Sequence, residues 1–251
     1  MSNLEPNTTY YIRAFAQHID GLGTSFSKTL TFKTLSVDQN GNTIYSKTYG
    51  DQEWSTRNAN VTTYRDGTPI PEVDYNDFST FYNATTGVYM QTDYGKFYNW
   101  YAIMGIHDDD LSTPNKQFAP QGWHVPSLAE WETLRDYFIA NGYNYDGTTT
   151  GNKIAKAMAS DWNWSEYDSL GAVGTNQGSN NSSGFNAIPN GVVSGDAIHN
   201  SVGQKASFWT TTYTTTNYAR IFNLSYDSPS LNMYTKYIGA QYGYSVRFVK
   251  D

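Results

Sequence analysis

The residues that could carry acid–base or metal chemistry are few and dispersed along the sequence. The four histidines (His18, His107, His124 and His199) lack the i, i+4 spacing of a helical metal-binding pair. Three aspartates, Asp108–Asp110, follow His107, but this run lacks the alternating acids, the glycine and the distal glutamate of a calcium-binding EF-hand loop. We interpret the run as a solvated loop, with a cation site as the alternative, and His124 as a buried structural histidine.

Other catalytic arrangements are equally hard to find in the sequence. The chain has no cysteine, which removes thiolate metal ligands and cysteine nucleophiles. It also has no Gly-x-Ser-x-Gly elbow and no glycine-rich phosphate loop. Glu130 and Glu132 are two positions apart on a predicted helix, so they do not face each other. We therefore predict no catalytic residue, no metal site and no cofactor, although distant carboxylates could still meet in the folded chain.

The stretch most suggestive of binding runs from Trp209 to Tyr242. It is rich in Thr, Tyr and Asn. Antibody binding sites are also rich in Tyr and Asn, because a Tyr side chain offers a large amphipathic contact area and loses little conformational entropy on binding. The alternative is a plain sheet, since Thr and Tyr form strands well and half of them would face a core. We assign Trp209 to the core. The predicted ligand-binding residues are Tyr213, Asn217, Tyr218, Tyr226, Asn232, Tyr234, Tyr237 and Tyr242.

The amino-acid composition limits the classes of partner that the chain can bind and the classes of protein to which it can belong. Its 251 residues include 16 basic and 23 acidic side chains, for a net charge of −7, so nucleic acid is not expected to bind. Aromatic residues make up 16% of the chain, which argues against disorder. No apolar run approaches the ~18 residues of a membrane span, so no transmembrane segment is expected. No basic-then-apolar leader follows Met1, so any export signal is expected to be absent or to lie outside this sequence.

Local patterns predict two helices between strand-rich ends. Ser127 and Glu130 fit a capping box before apolar positions at helical spacing, and Asn141 supplies the stop. A weaker helix is predicted from Asn152 to Ser160. The predicted strands are Thr43–Thr48, Asn60–Tyr64, Ser207–Tyr213, Tyr218–Tyr226 and Tyr244–Lys250. This order predicts an α+β fold, with Trp123 and Trp131 in the core.

The first 36 residues form a separate unit in this interpretation. Two strands, Thr8–Ala16 and Phe26–Phe32, predict a β-hairpin. The stretches Leu4–Ala14 and Leu30–Thr34 resemble the last two strands of a fibronectin type III domain, which is too long to fit in 36 residues. We therefore predict an incomplete fibronectin-like module over residues 1–36 and a second domain over residues 37–251.

Several Trp- and Gly-rich motifs carry a second resemblance. They are Trp54–Pro71, Tyr94–Ala102, Gly122–Trp131, Ser183–Gly191, Phe208–Thr211 and Tyr244–Asp251. Their order resembles the Fibrobacter succinogenes major paralogous domain over roughly residues 37–251. The resemblance implies a C-type lectin-like fold with two helices, a long loop region and a small antiparallel sheet of N- and C-terminal strands. Relatives commonly carry cysteines where this chain has Phe118 and Phe248. The helix start is also similar to that of formylglycine-generating enzymes, whose copper-binding cysteines are missing here.

The function expected from these features is non-enzymatic. We predict a cell-surface adhesion or ligand-binding module that presents the Tyr/Asn/Thr-rich surface to an unknown protein or glycan. The resemblance implies a bacterial location, as an outer-membrane lipoprotein or a secreted protein. The alternatives are a glycan-active enzyme or its accessory sugar-binding module, and a purely structural repeat of the envelope.

Overall fold

The computed structural model describes residues 4–21, 23–110, 112–194, 197–214, 218–237 and 242–251. Its strands are β1 (Thr9–Ile12), β2 (Phe15–Gln17), β3 (Thr24–Phe26), β4 (Leu30–Lys33), β5 (Ser36–Val37), β6 (Thr43–Ile44), β7 (Ser46–Tyr49), β8 (Gln52–Ser55), β9 (Glu72–Val73), β10 (Tyr89–Thr92), β11 (Gly95–Tyr98), β12 (Trp123–His124), β13 (Val192–Ser194), β14 (Ala197–Asn200), β15 (Lys205–Tyr213), β16 (Tyr218–Ser225), β17 (Asn232–Tyr237) and β18 (Val249–Lys250). The helices are α1 (Phe78–Tyr82), α2 (Trp100–Met104), α3 (Leu128–Ala140) and α4 (Ala155–Met158), with a 3-10 turn at Gln177–Ser179. Within the described ranges, no helix combines the length and apolar character needed to cross a membrane.

This architecture corrects the predicted fold class. Strands take up 32% of the chain and helices 13%, so the fold is β-rich and the predicted α+β, C-type lectin-like fold is wrong. The second predicted helix, Asn152–Ser160, shortens to the single turn α4. Its N-cap, Ile154, offers no side-chain hydrogen bond, and Ala159 becomes extended to form a bridge with Ala187. A helix of one turn without a side-chain cap is stabilised little by its own hydrogen bonds. The β-bridge of Ala159 therefore determines where the helix ends.

The N-terminal hairpin, residues 9–33, is present as predicted. Strand β1 pairs with β4 and β2 pairs with β3, both antiparallel. Each of the described residues between 4 and 37 is exposed or half-buried, so the hairpin contributes nothing to the buried core. The resemblance of this segment to a fibronectin module is not confirmed, and the boundary after residue 36 stays a prediction.

Two sheets join distant parts of the remaining chain. One has the order β12–β18–β8–β7 and pairs the last strand with an early one, with Val249 opposite Trp54 and Lys250 opposite Trp123. The other has the order β11–β10–β9, with β9 parallel to β10. The predicted strand Asn60–Tyr64 forms only a bridge from Thr63 to Pro69. Strands β5 and β6, and β13 and β14, form two separate pairs.

Helix α3 has the predicted boundaries and cap. The Ser127 Oγ accepts a hydrogen bond from the Glu130 N–H at 3.3 Å, and the Glu130 carboxylate accepts one from the Ser127 N–H at 2.7 Å. Trp131, Leu134 and Phe138 are buried on one side of the helix, which confirms the apolar spacing. This capped helix covers the sheet described next.

The sheet β15–β16–β17 is antiparallel, and α3 packs on one of its faces. The Trp131 ring stacks on Phe222 of β16 at 5.1 Å between centroids and lies 5.4 Å from Phe208 of β15. Trp209 is also buried, as predicted, and its Nε1 donates to the Tyr98 carbonyl at 2.7 Å. Because α3 buries only one face, the other face of this sheet remains available to other elements.

The long loop, residues 160–186, is held by side-chain cations. The Lys156 ammonium donates to the carbonyl oxygens of Thr175 and Asn176, and Lys47 donates to the Ser183 carbonyl. Arg247 is fully buried and donates to the carbonyls of Phe185 and Asn186, at 3.0 and 2.9 Å. Burial lowers the pKa of Arg247, while Tyr49 raises it. Carbonyl oxygens thus take the place of carboxylate partners for all three cations.

Candidate functional site

An open cleft of about 880 Å³ lies on the face of the β15–β17 sheet opposite α3. Strand register builds its floor in cross-strand rows, since residues two apart on a strand share a face. The first row is Ser207, Asn223 and Asn232. In the second row Ile221 and Tyr234 line the cleft, while Trp209 is buried. The floor therefore combines hydroxyl, amide and aromatic groups on a hydrogen-bonded platform.

The polar groups of the floor are fixed by hydrogen bonds. The Asn223 Nδ2 donates to the Ser207 Oγ at 2.8 Å, and both residues are buried. The Asn232 Nδ2 donates to the Ser230 carbonyl at 3.3 Å. Because these amides are held in place before a ligand arrives, little side-chain entropy is lost when they bind one.

Two further segments complete the cleft. Ser194 and Asn200 come from the β13–β14 pair and are joined by an Asn200 Nδ2 to Ser194 Oγ bond of 2.7 Å. Tyr242 and Tyr244 stack at 5.8 Å with an interplanar angle of 6°. Between them, Gly243 exchanges two backbone hydrogen bonds with Val193. A Cβ at Gly243 would lie 3.0 Å from atoms of Phe81, Phe97 and Val193, so a larger residue would push these neighbours back by a few tenths of an ångström.

The charged groups of the cleft are two lysines and one aspartate among the described lining residues. Burial lowers the pKa of Lys236, and the positive charge of Lys205 lowers it further. The Asp227 carboxylate accepts a hydrogen bond from the Ser225 Oγ at 2.5 Å. Burial raises the pKa of the Tyr244 phenol, which stays neutral. The described lining residues thus carry a slight positive charge, in a chain whose net charge is −7.

His124 lies in a second cluster of titratable groups, at the start of α3. Its Nε2 lies 2.5 Å from a Glu130 oxygen, and its Nδ1 lies 2.7 Å from an Asp251 oxygen. Burial lowers the pKa of His124, but hydrogen bonds to Glu130 and Asp251 outweigh it, and the net shift is upward. The side chain is 38% exposed, so the prediction of a buried histidine is wrong: the ring is half-buried, because both of its nitrogens contact carboxylates that are themselves partly exposed. The Ser127 Oγ bonds to Glu130 and not to the imidazole, so the cluster does not contain the serine–histidine hydrogen bond of a nucleophile and its base.

The acidic run near residue 108 forms local turns. The His107 Nε2 lies 3.3 Å from an Asp108 oxygen, and Asp110 accepts hydrogen bonds from the N–H and Oγ of Ser112. In the described part of the chain, no three side chains of His, Cys, Asp or Glu come together in a way that could hold a metal ion. The alternative cation site therefore gains no support from the geometry.

Comparison with known families decides the membership of the chain. The model of the Fibrobacter succinogenes major domain matches residues 48–250. The chain belongs to this family. No curated protein and no solved structure matches it significantly. The family resemblance read from the Trp- and Gly-rich motifs is confirmed.

The structure of this major domain brings three of the predicted binding residues together. Asn232, Tyr234 and Tyr242 line the cleft. Tyr218 and Tyr237 are paired across strands at 5.4 Å, but on the opposite face of the sheet.

The remaining predicted residues are scattered. Tyr213 is 58% exposed and lies 5.6 Å from the Trp100 ring, outside the cleft. Tyr226 is half-buried and packs edge-on against Tyr167 at 5.4 Å. Asn217 lies outside the described residues.

Sequence reasoning missed several cleft residues of the major domain. Lys205, Ser207, Asn223 and Lys236 all line it. Strands β15 and β16 were predicted, with Lys205 just outside the predicted bounds, but β17, which carries Lys236, was not, and the two faces of the sheet were not separated. A period-2 comparison would have found the signal, because Ser207 and Asn223 alternate with the apolar Phe208 and Phe222 along their strands.

Proposed function

We propose that this major domain is a non-enzymatic, surface-displayed binding module that holds a glycan chain in the cleft over the β15–β17 sheet. The observation that carries the proposal is the fixed polar floor formed by Ser207, Asn223 and Asn232. Such amide and hydroxyl groups match the donor and acceptor pattern of sugar hydroxyls. The cleft is open, as a site for a chain must be, and it is large enough for several sugar rings.

Aromatic rings supply the second requirement of sugar binding. Tyr234 is 48% exposed at the cleft, and the stacked pair Tyr242 and Tyr244 lies on its lining. The C–H face of a sugar can pack on the exposed Tyr234 ring while its phenol group remains hydrated, and the buried Tyr244 holds Tyr242 in place by stacking. A protein ligand could use the same groups, and it remains an outcome of the test.

Hydrolysis of a bound glycan is the second candidate. The usual glycosidase mechanisms use two carboxyl groups, about 5–10 Å apart, on either side of the scissile bond. Among the described residues that line the cleft, Asp227 provides one carboxylate. This favours binding, and the Asp227→Asn variant tests the enzyme reading: glycan cleavage by the wild type that this variant abolishes would establish it.

A glycan array followed by titration calorimetry tests the proposal. The cleft variant combines Asn232→Ala with Tyr234→Ala, and the control combines Tyr218→Ala with Tyr237→Ala on the opposite face. We expect the cleft variant to lose roughly tenfold or more in affinity and the control to bind like the wild type. Loss of binding in the control alone would move the site to the opposite face. A protein partner captured without any glycan signal would exclude a glycan ligand.

A further inference from the structure

We infer that the glycan held in the cleft is acidic, and that its anionic group is bound by Lys236 with support from Lys205. This inference rests on the proposed function and specifies the ligand class. Three features support it: both lysines lie on the cleft face, neither forms an ion pair with a described carboxylate, and an aromatic ring lies against the Lys236 ammonium.

Strand register directs both lysines to the cleft face. Lys236 of β17 lies opposite Ala219 of β16, and Lys205 of β15 lies opposite Ser225. Both lie an even number of residues from floor positions on their own strands, so both project from the face that forms the floor. The positive charge of Lys205 lowers the pKa of Lys236, although the two residues pair with different ends of β16.

Neither lysine has an ion-pair partner among the described residues, although other lysines do. Lys116, Lys153 and Lys250 each lie within 2.9 Å of a carboxylate oxygen. Lys236 is half-buried, and its ammonium lies 5.0 Å from the centroid of the Tyr242 ring. A half-buried cation without a carboxylate gains more from an incoming anion than a fully hydrated one does.

The surroundings favour the Lys236 end of the cleft for the anionic group. Asp227, the one described carboxylate on the lining, follows the end of β16 that pairs with Lys205. An anion near Asp227 would be repelled, whereas the Lys236 end carries positive charge only among the described residues. The Lys236 ammonium lies over the Tyr242 ring, and the exposed Tyr234 lies two residues from Lys236 on the same face of β17. A sugar ring packed on Tyr234 can therefore direct its carboxylate to the lysine. The slight positive charge of the described lining residues also attracts anions to an otherwise acidic protein.

The test compares a uronic acid oligosaccharide with its carboxyl-reduced, neutral counterpart. Calorimetry is run on the wild type, on Lys236→Gln, on Lys205→Gln and on the control Lys28→Gln, which removes an exposed lysine of the N-terminal hairpin. We expect the wild type to bind the acidic oligosaccharide roughly tenfold or more tightly than the neutral one. Lys236→Gln should remove most of this preference, Lys205→Gln a smaller part and Lys28→Gln none. Raising the salt concentration should weaken only the acidic ligand.

The outcomes separate this inference from the proposed function. Equal affinity for both oligosaccharides, with loss of binding in Asn232→Ala/Tyr234→Ala, would overturn the acidic ligand and keep the glycan-binding cleft. Preference for the acidic ligand that survives Lys236→Gln would overturn the assigned residues. If neither oligosaccharide nor any array glycan binds, the proposed function fails and the inference fails with it.

Discussion

The N-terminal hairpin and the β15–β17 sheet are built from similar residues but differ in what covers them. Both are antiparallel and rich in Thr, Tyr and Phe. In the hairpin, Tyr10 stacks on Phe32 at 5.7 Å, yet Tyr11 is 73% exposed and Phe15 is 69% exposed. In the sheet, Phe208 and Phe222 are essentially inaccessible to solvent. The difference is that α3 packs on the sheet, while the described residues place no helix on the hairpin.

This contrast shows that a strand pattern and a burial pattern carry separate information. Alternation and β-propensity were enough to predict strands in the hairpin and two of the three strands of the sheet, β15 and β16. Burial depends on a partner element from a distant part of the sequence, here a helix about 80 residues before the sheet. The same separation explains the cleft, because the face that α3 leaves uncovered became its floor.

The largest expected effect compares one aromatic side chain from each region. Trp131→Ala removes a fully buried ring that contacts Trp54, Phe208 and Phe222, and should lower the free energy of unfolding by about 3–5 kcal/mol. Phe15→Ala removes an exposed ring and should change it by less than about 0.5 kcal/mol. Urea denaturation of both variants measures the difference. Equal losses would mean that the hairpin is also covered in solution.

An intermediate change in the free energy of unfolding is expected from the cap of α3, the helix that covers the sheet but not the hairpin. Ser127→Ala removes the cap of α3 and leaves the Glu130 N–H without its partner, so the free energy of unfolding should fall by about 0.5–2 kcal/mol. Ser127→Asp restores an acceptor and should recover most of the loss. A Ser127→Ala protein with a wild-type denaturation midpoint would show that packing alone fixes the helix start.

The smallest effect concerns the pH dependence of the His124 cluster. The raised pKa of His124 means that its contribution is complete below its unfolded value of about 6.5 and is lost as the pH rises through the raised folded value. Glu130 has a lowered pKa, so its contribution is present above the ordinary value near 4.5 and is lost as the pH falls through the lowered one. The cluster therefore stabilises most between about pH 4.5 and 6.5.

His124→Gln measures this window directly. The wild type should exceed the variant in free energy of unfolding by about 0.5–1 kcal/mol more at pH 6 than at pH 9, a small figure because water screens this partly exposed ring. Chemical denaturation at both pH values gives the comparison. A difference that is constant with pH would mean that His124 stays neutral in the cluster.

Local sequence signals predicted those parts of the fold that depend on neighbours along the chain. The capping box at Ser127, the spacing of Trp131 and Leu134, and the strands beginning near Ser207 and Tyr218 all follow from such signals. The predicted length of the second helix was wrong because Ala159 forms a β-bridge with Ala187, 28 residues away. The prediction of a C-type lectin-like fold was wrong for a related reason. The family resemblance implied two helices and one small sheet, whereas the chain forms several small sheets and isolated bridges between residues that are distant in sequence.

The candidate site was predictable in part. Asn232 and Tyr234 were chosen for residue type, and their strand places them on the cleft face. Tyr218 and Tyr237 were chosen on the same ground but lie on the other face, because their parity along the strands is opposite. Lys236 was missed, since a lone lysine carries no signal until the register shows which face it occupies and which partners it lacks.

The three cationic side chains that hold the long loop have a consequence for how the protein tolerates its surroundings. Lys47, Lys156 and Arg247 occupy carbonyl oxygens that, in many loop-rich proteins, would be occupied by a dissolved cation. Here the cations are side chains of the protein itself, so each folded molecule contains the same number of them. They cannot be diluted away or taken up by a chelator, and the buried charge of Arg247 is poorly screened by salt. At these oxygens, the loop therefore keeps its shape through changes in the mineral content of the medium.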